Sequence, residues 1–309
     1  MQDQCNWNGR FDGLWLPLVT PFEGAAAERL DPGALARLVR QLAAQGVAGF
    51  VACGSTGEAA MLSADEQQAL LATVVQAAAG LPVLMGLSGL SGVRPEAVAA
   101  RARQLADSAT PPQGWLLAPP AYVRPSQSAL VDWYQQVAEA TPLPLVAYDI
   151  PARCGVRLQP ATLLALAEHP RIVAVKDCSG DRAAAEAILC DGRLALLAGN
   201  DDELFDQLAR GAVGAITASA HLGTAHFVRL LRLLREDGGS LAEARALWRR
   251  LAPLTAAAFA EPNPAVIKGA LAAQGWLQNR LRAPMAPAQA ASVQVVLQAL
   301  QRLEGLSPR

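Results

Sequence analysis

Lysine is almost missing from this 309-residue chain: of its 26 Lys and Arg residues, only Lys176 and Lys268 are lysines. Arginine serves wherever a plain positive charge will do. A retained lysine therefore points to something arginine cannot do, such as losing its proton and attacking a carbonyl. Tyrosine (Tyr122, Tyr134, Tyr148) and histidine (His169, His221, His226) are also scarce. The histidines show no metal-ligand spacing and have no Cys/His cluster beside them, so no metal site is expected. Five cysteines (Cys5, Cys53, Cys154, Cys178, Cys190) are odd in number and widely spaced. They read as reduced thiols of a cytoplasmic protein, mostly acting as small buried hydrophobes.

Other absences narrow the field further. Net charge is −1 with no basic block, which argues against a nucleic-acid partner. The first thirteen residues carry Asp3, Arg10 and Asp12 and no apolar run, so a signal peptide is not expected. The stretch between Arg210 and Arg229 has no Lys, Arg, Asp or Glu, but its Gly, Ser, Thr and two His suit a barrel strand and loop better than a membrane span. No dinucleotide-binding glycine fingerprint, phosphate-binding P-loop or Ser/His/Asp arrangement is present, and no cofactor is expected.

What is present is a regular alternation. Eight short apolar runs, at 14–20, 46–55, 81–88, 114–122, 144–150, 172–178, 194–201 and 211–219, are separated by amphipathic helical stretches. Near-continuous apolar runs are the mark of parallel strands covered on both faces. Helix signals include Asp31 before Pro32, and Ser63 with Glu66 as a capping box. The pattern predicts a (β/α)8 TIM barrel over 1–225, with C-terminal helices at 224–237, 240–260, 264–274 and 287–304 forming an appendage over 226–309. An open doubly wound sheet is the weaker alternative, because its glycine fingerprint is lacking.

In such a barrel the chemistry sits at the C-terminal strand ends, which sorts the reactive side chains by position. Strand 6 ends at Lys176, whose amine would lose basicity by desolvation at the barrel mouth, unless it simply pairs with an acid such as Asp177. Strand 2 ends in "GSTGE" (54–58), whose backbone N–H groups and Ser55 and Thr56 hydroxyls could bind a carboxylate or form a plain tight turn. Strands 4 and 5 end at Tyr122 and Tyr148, either proton carriers or packing residues. Arg153 follows a proline turn after strand 5 and could grip a second carboxylate, or stand solvated in a loop. Asp201, Asp202 and Glu203 read as the acidic start of a helix, and Lys268 as structural.

Taken together, "GSTGE", "PPAYVRPSQ", "YDIPARCG", "VAVKDCSGD", "GNDDE" and "EPNPAVIKGAL" resemble the pyruvate-dependent class I aldolase superfamily that contains dihydrodipicolinate synthase and N-acetylneuraminate lyase. The resemblance runs from "LPLVTPF" (16–22) to "APMAP" (283–287). It implies a Schiff base between Lys176 and pyruvate, with Tyr148 as central proton carrier and Ser55 in the relay. It further implies that Thr56 binds the pyruvate carboxylate and that backbone near Ile216 lines the lysine's pocket. Tyr122 matches a relay tyrosine supplied by a neighbouring subunit, which implies a homo-oligomer, a tight dimer or a tetramer built from two. Arg153 resembles the arginine with which the synthase branch holds aspartate semialdehyde. Ser55-Thr56, Asp149, Cys154, "KDCSGD" and the loop 86–96 depart from that branch.

The resulting expectation is a lyase that condenses pyruvate with L-aspartate 4-semialdehyde to 4-hydroxy-tetrahydrodipicolinate. Two other readings stay open: another 2-keto acid aldolase of the neuraminate lyase type, and a catalytically silent keto-acid-binding barrel.

Overall fold

The computed structural model describes residues 11–87, 94–235 and 238–305. Cys5, most of the N-terminal segment and the middle of the 86–96 loop lie outside the described residues. Eight parallel strands close into a barrel: β1 Gly13–Pro17, β2 Gly49–Ala52, β3 Val83–Gly86, β4 Gly114–Leu117, β5 Leu145–Asp149, β6 Ile172–Asp177, β7 Ala195–Ala198 and β8 Gly214–Ile216. β1 pairs with both β2 and β8, which closes the ring. Each strand falls on one of the eight apolar runs, β1 starting one residue ahead of its run at Gly13. The TIM-barrel expectation is met.

Side chains alternate along each strand, which divides the core in two. Inward residues such as Trp15, Val51, Leu84, Leu116, Val146 and Leu197 fill the barrel, while outward residues pack against the helices. Trp15 is the largest inner residue, and its ring occupies the space where a Cβ on Gly49 would stand. Moving up the barrel, the inner layer changes from aliphatic to Tyr148 and Lys176, which are register partners on β5 and β6.

The helices α1 Pro32–Ala43, α2 Ala64–Ala77, α3 Pro95–Ala106 and α4 Gln127–Glu139 follow the first four strands. A single turn α5 Pro151–Cys154 and α6 Pro160–Leu166 follow β5; α7 Arg182–Asp191 and α8 Leu204–Arg210 follow β6 and β7. The Ser63/Glu66 capping box forms with both its hydrogen bonds, at 2.9 and 3.2 Å. Helix α9 Thr224–Arg235 packs on β1. The boundary expected at residue 225 thus falls inside the helix that follows the last strand, and we propose that the barrel unit extends through α9. Helices α10 Leu241–Ala258, α11 Ala265–Ala273 and α12 Ala290–Glu304 form the appendage.

A buried joint fastens that appendage to the barrel. Lys268 on α11 is wholly buried and donates to Glu58 Oε1 and to the Thr20 carbonyl, both at 2.7 Å. Its Nζ also lies 4.4 Å from the centroid of the Phe22 ring. The structural reading of Lys268 holds. None of the helices among the described residues is long and apolar enough to cross a membrane.

Candidate active site

The C-terminal ends of the strands open onto a cavity of about 360 Å³ that receives Lys176, Tyr148, Ser55, Thr56, Arg153 and Ile216. Six of the seven residues singled out from the sequence therefore share one space. Lys176 and Tyr148 are each 6% exposed, and the Lys176 Nζ stands 4.3 Å from the centroid of the Tyr148 ring. The alternative pairing of Lys176 with Asp177 does not occur. Alternation turns Asp177 to the outer face, where its Oδ1 accepts from the Ser179 N–H and hydroxyl and its Oδ2 from Gln207. Burial lowers the Lys176 pKa from the ordinary lysine value, and Arg153 pushes it the same way. A free amine is thereby favoured at lower pH than for a solvated lysine.

Tyr148 shows the complementary shift. Burial raises its phenol well above the usual tyrosine range, while a hydrogen bond from Ser55 works in the opposite sense. Tyr148 is thus held as a neutral phenol, linked to Ser55 and able to donate a proton. The Cys178 sulfur lies 3.9 Å from the phenol oxygen.

The segment after β2 folds as a single 3₁₀ turn over Ser55–Gly57, with Glu58 in the left-handed region at φ 56°. The Gly57 and Glu58 N–H groups bond within the turn, to the Gly54 and Ser55 carbonyls. The expected anion cradle therefore narrows to Ser55 and Thr56. The Thr20 hydroxyl donates to the Gly57 carbonyl at 2.6 Å, and the buried Glu58–Lys268 pair holds the turn from below. Thr56 Oγ1 accepts a hydrogen bond from Asn263 Nδ2 at 2.9 Å.

Arg153 sits on α5, which begins at Pro151 and stops at Gly155 with φ 73°. That short turn places an exposed guanidinium at the cavity mouth. Ile216, on the last strand, is fully buried and lines the cavity.

Tyr122 is placed differently from the sequence expectation. β4 ends at Leu117, because Pro119 and Pro120 lack the N–H groups a continuing ladder needs. Tyr122 lies in the following turn with φ 75°, is 95% exposed, and does not line this chain's cavity. Asp201 is a second correction. It is a buried residue that accepts from the Ser219 N–H at 2.7 Å and hydroxyl at 2.5 Å, not part of an acidic helix start; α8 begins only at Leu204.

Sequence reasoning missed several cavity residues, among them Asn263 and Cys178. Asn263 comes from the appendage, and only the "EPNP" motif hinted at it. Cys178 lines the cavity instead of serving as inert filling, and burial pushes its thiol up to about 12. Gly199 makes room for it, since a Cβ there would stand 2.5 Å from the Cys178 sulfur and 2.7 Å from the Asp177 carbonyl oxygen. Among the described residues no group of three or more His, Cys, Asp or Glu could hold a metal ion, and Cys53, Cys154, Cys178 and Cys190 are free thiols.

The dihydrodipicolinate synthetase family model matches residues 10–303. The chain belongs to that family. A 4-hydroxy-tetrahydrodipicolinate synthase of Synechococcus sp. (strain JA-2-3B'a(2-13)) is 36% identical over 297 residues, covering 95% of this chain and 94% of that protein. Among solved structures, dihydrodipicolinate synthase from Thermotoga maritima superposes with a TM-score of 0.88 at 28% identity, over 96% of this chain and 100% of the other. A monomeric dihydrodipicolinate synthase variant gives a TM-score of 0.88 at 28% identity, over 98% and 99%. The resemblance read from the motifs, and with it a lyase of class I aldolase type, is borne out at the level of the family.

Proposed function

We propose that this chain is a 4-hydroxy-tetrahydrodipicolinate synthase that condenses pyruvate with L-aspartate 4-semialdehyde through an imine on Lys176. The observation that carries the proposal is the register pairing of Lys176 with Tyr148 inside a cavity that also holds Ser55, Thr56 and Arg153. The desolvated amine attacks the pyruvate ketone, and the carbinolamine loses water to give a protonated imine. Thr56, with the Ser55 and Thr56 N–H groups, holds the pyruvate carboxylate. Tyr148, backed by Ser55, moves protons as the imine loses one from its methyl carbon and becomes an enamine. The enamine carbon then attacks the aldehyde of the second substrate, whose carboxylate Arg153 grips at the mouth. The semialdehyde's own amine closes the ring on the imine carbon and expels Lys176. No group beyond the lysine's amine is needed to carry the pyruvate.

Tyr122 enters this account from a neighbouring copy. Its full exposure in a strained turn suits a residue that completes the relay across a subunit contact, so we assign the working state as a homo-oligomer, a tight dimer or a pair of them. Reduced thiols suit a cytoplasmic setting for such an enzyme. A second reading, cleavage or formation of a hydroxylated 2-keto acid, draws support from Asn200, Asp202 and Thr255 on the same cavity wall. A coupled assay with pyruvate and a panel of aldehydes separates the two. Turnover confined to aspartate semialdehyde supports the synthase; preference for polyhydroxylated aldehydes supports the alternative.

A further inference from the structure

Two carboxylates line the cavity, Asp201 and Asp202, and they differ in setting. Asp202 is exposed at the rim, whereas Asp201 is 6% exposed and tied down on both oxygens. Its Oδ1 accepts from the Ser219 N–H at 2.7 Å and hydroxyl at 2.5 Å, and its Oδ2 from the Ala218 N–H at 3.3 Å. Burial raises the Asp201 carboxyl above its ordinary value, while the three donors and the nearby Lys176 charge pull it back toward the ionised form.

The surroundings of Lys176 leave little else to balance a positive charge. From β5 comes Tyr148, a neutral phenol; from α5 comes Arg153, a cation. Beyond β6 lies Cys178, a neutral thiol at ordinary pH. Beyond β8, His221 accepts from the Val19 N–H and bonds the Ala218 carbonyl at 2.9 Å, and burial lowers it to about 4, so it too is uncharged. Among the described residues that line the cavity, only the loop after β7 supplies carboxyl groups, and only Asp201 does so from a buried position.

We infer that Asp201 is a positioning residue for Lys176: its buried carboxylate balances the positive charge carried first by the ammonium and then by the imine nitrogen. The inference rests on the imine reading above and extends it. A cation formed at a buried nitrogen is costly unless a counter-charge is already in place. Asp201 lines the same cavity as Lys176 and is held by Ala218 and Ser219 after β8, so its carboxylate needs no rearrangement when the imine forms. The carboxylate works against burial and Arg153, keeping the Lys176 pKa from falling further. It also makes the protonated imine, the better electron sink, the form that persists.

The test is the pH dependence of borohydride-trapped pyruvate adduct at Lys176 in full-length wild-type protein, Asp201→Asn, Asp201→Glu and Ser219→Ala. Asp201→Asn keeps the shape and removes the charge, whereas Ser219→Ala removes one hydrogen bond and keeps the charge. We expect Asp201→Asn to move the rising limb of the trapping rate about 1 pH unit lower. Adduct yield at limiting pyruvate should fall about tenfold. Asp201→Glu should restore the limb, and Ser219→Ala should leave it in place. Equal shifts in Asp201→Asn and Ser219→Ala would make Asp201 a mere clip between loops and overturn the inference. A wild-type measurement guards against loss of fold in the variants. The C2 resonance of bound 2-¹³C-pyruvate should remain that of a protonated imine above neutral pH, and a neutral imine at neutral pH would overturn the inference on its own. Absence of any adduct at Lys176 in the wild type would instead remove the imine reading on which it stands.

Discussion

Asp149 and Asp177 face each other in register on the outer side of β5 and β6, each one residue beyond Tyr148 and Lys176. Asp177 has three hydrogen-bond donors around it, but Asp149 has only the Leu158 N–H at 3.2 Å, and its Oδ2 is buried without a hydrogen-bond partner. Burial, with Asp177 adding to it, pushes the Asp149 carboxyl up to about 7. The Asp149 carboxyl, directly behind the candidate catalytic pair, therefore holds a proton up to near neutral pH.

Asp149 sets a pH dependence of stability. The folded-state pKa of Asp149 is raised above the unfolded value of about 4. Its favourable contribution is therefore fully present below about pH 4 and is lost as pH rises through about 7. Asp149→Asn should remove the loss. Urea titrations at pH 5 and 8 should show the wild type losing about 2–3 kcal/mol more than the variant over that range. Identical pH dependence in both proteins would show that Asp149 is not protonated in the folded state.

The joint between barrel and appendage makes a second expectation. Lys268→Met leaves Glu58 buried with its Oε1 unpaired, which should cost about 3–5 kcal/mol, whereas Lys268→Met with Glu58→Gln should recover part of that. Because Glu58 closes the turn that carries Ser55 and Thr56, the single variant should also raise the KM for pyruvate. Thermal melting with pyruvate kinetics checks both. A single variant that loses stability without any change in KM would show that the joint does not position the turn.

The barrel was legible in the sequence because every strand sits between two covering layers, and apolar runs such as 172–175 record that burial directly. Lys176 and Tyr148 were legible because they interrupt such runs at the same height. Tyr122 was misplaced because "LLAPPAY" continues the apolar run while its prolines end the ladder. Asp201 was misread because "DDE" before a helix is what a helix dipole favours, and its true partner, Ser219, lies 18 residues on. Asn263 was hinted at only by "EPNP", since its partner Thr56 is 207 residues away and only folding brings them together.

Arg153 should give a split phenotype. Arg153→Ala should leave pyruvate adduct formation nearly intact, because Ser55 and Thr56 hold the first carboxylate. Losing the bidentate contact to the second carboxylate should cost about 2–4 kcal/mol, or roughly 30- to 1000-fold in kcat/KM for aspartate semialdehyde. Unchanged semialdehyde kinetics would remove Arg153 from the proposed site.

For Tyr122 the expectation joins activity to assembly. Sedimentation should show at least a dimer, and Tyr122→Phe should lower turnover by about 100-fold or more while the assembly persists. A fully active monomer, or full activity in the variant, would exclude a relay across subunits.

The central claim is the imine, and borohydride reduction in the presence of pyruvate tests it most directly. One reduced three-carbon unit per chain should appear, mapped by peptide mass to Lys176, and Lys176→Arg should abolish it while keeping the charge. An adduct at Lys268, or no adduct on folded protein, would contradict the account.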